Sequence, residues 1–63
     1  MKTLKLVDIE KVEVGDQVVI NYDRLTIHYI DDEPHGRDMT FVSPTGNKIH
    51  RFIPKGEKIT IEL

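Results

Sequence analysis

The 63-residue chain has no cysteine, one serine, and four glycines that never stand together. Each shortage removes a class of chemistry. Without cysteine there is no disulfide framework and no thiolate metal site. The single serine, Ser43, precedes Pro44 and lacks the glycine-flanked elbow that presents a nucleophile, so it reads as a turn residue. Gly15, Gly36, Gly46 and Gly56 are isolated, which excludes a glycine-rich phosphate loop. His28, His35 and His50 lack the close spacing of a metal site. No apolar run approaches the ~20 residues that span a membrane. Lys2, Lys5 and Asp8 break the N-terminal apolar positions, unlike a signal peptide. These absences lead us to expect a soluble, cytoplasmic, non-enzymatic protein with no cofactor, no metal and no membrane partner.

Basic charge is also in short supply. The net charge is −2, whereas a protein that holds nucleic acid by bulk electrostatics is strongly basic. The balance is uneven along the chain. Residues 1–33 carry four basic and eight acidic side chains, and residues 34–63 carry five basic and three acidic ones. A nucleic-acid contact would therefore fall in the C-terminal half.

What the chain does have is period-2 alternation. Ile59, Ile61 and Leu63 share one face, with Thr60 and Glu62 on the other. Val18, Ile20 and Tyr22 alternate likewise, then Leu25, Ile27 and Tyr29. A phase change between Leu6 and Val7 predicts a bulge or bend there. Turn signals separate the runs at Val14-Gly15-Asp16-Gln17, Ser43-Pro44-Thr45-Gly46 and Ile53-Pro54-Lys55-Gly56. These features predict strands near 3–9, 11–14, 17–23, 24–30, 38–43, 48–53 and 57–63. Residues 17–23 and 24–30 form either one bent strand or two. No stretch has a sustained 3.6-residue period, so no long helix is expected, only a 3₁₀ turn near Pro54. The whole reads as one all-β domain over residues 1–63, a small antiparallel, SH3-like barrel of five to six short strands, since closure removes exposed edges. A chain this short buries only ~60% of the surface it exposes when unfolded. The second choice of architecture is an open antiparallel sheet that pairs edge to edge in a homodimer, one way to add support.

Two segments stand out as candidate surfaces. Asp31-Asp32-Glu33-Pro34-His35-Gly36-Arg37-Asp38 is the longest polar stretch and is predicted to form a protruding hairpin loop. In it Asp31, Asp32, Glu33, His35 and Arg37 would engage a partner protein, favouring on-rate and specificity. The second segment, residues 44–58, carries Lys48, Arg51, Lys55 and Lys58 against Glu57 alone. In a strand, Lys48, His50 and Phe52 project to one face and Ile49, Arg51 and Ile53 to the other. Basic and aromatic groups together hold phosphates and stack bases.

The segments Val14-Gly15-Asp16-Gln17-Val18-Val19-Ile20 and Ser43-Pro44-Thr45-Gly46-Asn47-Lys48-Ile49-His50-Arg51 resemble the carbon storage regulator family of RNA-binding proteins. Leu4, Glu10, Val12, Val14, Gly15, Asp16, Val18 and Ile20 fit that pattern without a gap. The resemblance implies an intertwined β dimer that binds structured RNA. Lys5, His50 and Arg51 would then line the RNA surface, with Lys48 beside them. The chain departs from the pattern at Lys5-Leu6-Val7, in its longer middle hairpin, and at its end, where Pro54 and Gly56 replace a helix with a strand. The sequence thus leads to a binding module acting through protein–protein contacts, with RNA binding as the alternative.

Overall fold

The computed structural model describes residues 3–63. Six strands form one antiparallel sheet: β1 (Leu4–Asp8), β2 (Gln17–Ile20), β3 (Asp23–Glu33), β4 (Gly36–Val42), β5 (Lys48–Pro54) and β6 (Lys58–Glu62). Their spatial order is β1-β6-β2-β3-β4-β5. Strands β2 to β5 run as a meander, and β6 returns to pair between β1 and β2. The all-β, antiparallel, six-stranded expectation holds. The closed barrel does not: the sheet stays open, with β1 and β5 as its two edges. Among the described residues no helix is long and apolar enough to cross a membrane.

One face of the sheet carries the core. Val18, Leu25, Ile27, Met39, Phe41 and Ile59 are buried there, and Ile9 and Val12 cover them from the crossover between β1 and β2. That crossover corrects the expected strand over 11–14. A 3₁₀ turn spans Ile9–Lys11 instead, capped by the Asp8 carboxylate, which accepts from the Glu10 N–H at 3.0 Å. The deciding spacing is three, not two. Ile9 and Val12 fall on one side of so tight a turn, whereas Val14 is left exposed. The 3₁₀ turn lies here and not near Pro54, where Glu57 N–H bonds Pro54 O in a four-residue turn. That turn and the one at Glu13–Asp16 both start one residue away from the expected position. Each places its glycine, Gly56 or Gly15, third in the turn at positive φ, a site glycine fills without strain.

No bulge occurs at Leu6–Val7. β1 pairs with β6 in unbroken register from Leu4 opposite Glu62 to Asp8 opposite Lys58. The irregularity sits in β3, between Ile27, which faces Phe41, and Tyr29, which faces Thr40. The extra residue, His28, shifts the phase of everything beyond it. Ile30 therefore packs against the core, and Tyr29 is turned outward, 58% exposed. Strict period-2 alternation would instead place Tyr29 on the face of Leu25 and Ile27.

Residues 17–30 form two strands. Asn21 and Tyr22 link them at φ 50° and 70°, with Ile20 paired to Asp23. Positive φ at both central positions is the hairpin turn that twists with the strands, and its second position favours glycine. Tyr22 is fully exposed, so no burial offsets its backbone strain. Tyr22→Gly is expected to raise stability by about 0.5–1 kcal/mol, read as a higher thermal midpoint. An unchanged or lower midpoint would show that the turn does not hold this conformation in solution.

Candidate protein-binding edge

The acidic segment is not a loop. β3 and β4 run on to Glu33 and Gly36, leaving only Pro34-His35 as the turn. The ladder splits the segment between two faces. Asp31 and Glu33 point to the outer face, away from the core, and Asp32 lies on the inner face opposite Arg37. Arg37 is committed inside the fold. Its Nε donates to the Asp32 carboxylate at 2.7 Å, and one Nη donates to the carbonyls of Ile9 and Val12, both at 2.9 Å. Its side chain is only 15% exposed. His35 sits in the turn, and its carbonyl accepts from Lys55 N–H. The expected set Asp31, Asp32, Glu33, His35 and Arg37 is thus dispersed over two faces and a turn, because strand alternation outlasts the polar composition.

The expected RNA set is dispersed too. Lys48 and His50 lie on the outer face of β5, Arg51 on the inner face, and Lys5 on β1 at the opposite edge of the sheet. On the outer face His50 bonds the Asp38 carboxylate from the neighbouring strand. Tyr29, Thr40 and His50 form one cross-strand row, and Asp31, Asp38 and Phe52 the next. Three carboxylates therefore share that face with Lys48 and His50.

The geometry of β5 itself is more informative. Its seven residues pair with β4 in continuous register, from Val42 opposite Lys48 to Gly36 opposite Pro54. Ser43 N–H bonds Asn47 O just outside one end of this ladder, and Lys55 N–H bonds His35 O just outside the other. Antiparallel bonding alternates, so both brackets fix the same phase. Ile49, Arg51 and Ile53 turn their backbone groups to β4. Lys48, His50 and Phe52 direct theirs to the open edge, and Pro54 has no N–H to offer. Among the described residues these edge groups have no backbone partner, so the edge is the template on which another strand pairs.

Beside this edge lies an open groove of about 360 Å³. Ile20, Ile53 and Ile59, with Val19, Phe52 and Pro54, form its apolar lining, where β5 fails to meet β2 and β6. Arg51 and Lys58 stand on its rim with Glu57. Among the described residues neither Arg51 nor Lys58 has an ion-pair partner. The sequence signal for Arg51 was there: a cation between two inward isoleucines. The groove residues of β2 and β6 carried no signal, since only the return of β6 to β2 brings them near β5. Compared with known proteins, the chain matches no family model and no curated protein.

Proposed function

We propose that this protein is a small binding module that takes an extended segment of a partner protein onto β5 as a seventh strand. Main-chain hydrogen bonds to an open edge supply affinity, and alternate side-chain pockets supply specificity. The observation that carries the reading is the free edge of Lys48, His50 and Phe52 running beside the Ile20, Ile53 and Ile59 groove. The same reading takes the open sheet as a half-closed, SH3-like barrel. Its support is the order β6-β2-β3-β4-β5 around a core on one face. RNA binding has less behind it, because Lys5 lies at the opposite edge of the sheet from β5, and Lys48 and His50 share their face with Asp31, Glu33 and Asp38, whose negative charge repels phosphate.

The edge can be blocked without unmaking the ladder. His50→Pro removes an N–H that points to solvent, a place where edge strands accept proline. It is expected to cost about 1 kcal/mol or less, whereas Arg51→Pro removes a ladder bond and costs about 3 kcal/mol. Random octapeptides displayed on phage should enrich on the native protein and not on the His50→Pro variant. Equal enrichment on both proteins defeats the strand-addition reading. Salt-sensitive retention of pooled RNA hairpins, lost in Lys48→Ala, would replace it with the RNA one.

A further inference from the structure

We infer that β5 selects its partner by charge: the added strand carries a carboxylate opposite Arg51, with an apolar residue two positions to either side. This rests on the strand-addition reading and names the partner class. Residues directly opposite on paired strands share a face, so the partner residue facing Arg51 points to the inner side of the sheet. Its neighbours two residues away face Ile49 and Ile53 on that same side. The one opposite Ile53 reaches the apolar lining made with Ile20 and Ile59. The recognised pattern is therefore apolar-x-acidic-x-apolar in an extended chain.

Three observations support the acidic centre. Arg51 is exposed, and its cross-strand neighbour on β4 is Met39, which offers no counter-charge. Lys58 adds a second cation to the rim, against the single carboxylate of Glu57. Neither cation is paired among the described residues. An apolar strand added here would cover Arg51 with no counter-ion, and a basic one would set like charges opposite each other, which destabilises a ladder. A second copy of the chain, paired through its own β5 in the register that sets Arg51 opposite Arg51, is rejected on the same ground. An inward cation thus guards the edge against self-pairing while admitting a partner that neutralises it.

The test uses fluorescein-labelled peptides TVTETVT, TVTQTVT and TVTKTVT on the full chain. Polarisation gives affinity, and amide exchange at His50 and Phe52 reports whether the edge is covered. The glutamate peptide is expected to bind about tenfold more tightly than the lysine one, with both amides slowed. Arg51→Glu should reverse the preference, and Arg51→Gln should abolish it without reversal, the fold being retained in each because Arg51 is solvent-exposed. Equal affinity of the three peptides, with both amides still protected, overturns the charge selection and leaves strand addition standing. If no peptide slows either amide, both readings fall. A native protein that sediments as a dimer with these amides protected, without peptide, also overturns the selection, since its edge would be occupied by its own copy.

Discussion

Arg37→Met should cost about 3 kcal/mol of stability, because it strands two backbone acceptors that the fold covers. The guanidinium reaches from β4 to the carbonyls of Ile9 and Val12 through one Nη and holds Asp32 through Nε. Those carbonyls belong to the crossover that covers the core with Ile9 and Val12, exposed 0% and 2% respectively. Methionine keeps an unbranched apolar stem about as far as Nε and supplies no donor, so the crossover loses its tie while its packing partner stays apolar. A domain of this size has a total stability of roughly 3–9 kcal/mol. The loss should lower the thermal midpoint by roughly 12–24 °C. Arg37→Lys should rescue little, since one ammonium cannot span two carbonyls and a carboxylate in the planar fork that arginine provides. A midpoint within a few degrees of the native one, by calorimetry, would show that the crossover holds without the clamp.

Gly36→Ala should cost about 2–3 kcal/mol through overpacking at the far end of the β4–β5 ladder. Gly36 is buried and sits opposite Pro54. A Cβ there would press on the carbonyl oxygen of Ile53 well inside van der Waals contact. It would also lie 2.7 Å from Cζ of Phe52 and 2.9 Å from Cα of Pro54. The phenyl ring can rotate away. The backbone of Ile53 and Pro54 cannot move without parting β5 from β4, where Pro54 already contributes no N–H. The double variant Gly36→Ala with Phe52→Ala should therefore be no more stable than Gly36→Ala alone. Recovery of the native denaturation midpoint in the double variant would place the clash on the ring instead. Because the displaced segment borders the groove, the single variant should also weaken peptide capture, measured by the same polarisation titration.

Arg37 and Tyr29 mark the limit of what local pattern encodes. Arg37 stood in a run of charged and turn-forming residues, and composition assigned the whole run to a solvent-exposed loop. Its real task depends on Ile9 and Val12, 28 and 25 residues earlier in the chain. No local pattern reports a contact of that range. Tyr29 failed for a different reason: a single inserted residue, His28, reversed the facing of the strand beyond it. A bulge has no reliable signature in a strand of β-branched and aromatic residues. By contrast, the inward placement of Arg51 between Ile49 and Ile53 was legible, since β5 keeps strict alternation from end to end.

Local residue pattern was enough for the all-β character, the positions of most strands, the turns at 43–46 and near Gly15 and Gly56, and the split of β5 into two faces. These follow from short-range rules: side chains alternate along an extended backbone, and glycine and proline fix where it turns. Long-range strand pairing is what leaves the sheet open, makes the acidic segment two strand ends, and sets β5 as an edge beside a groove. Those outcomes depend on which strands pair and in what register. That choice is made by core packing between residues far apart in the chain, which no local window contains.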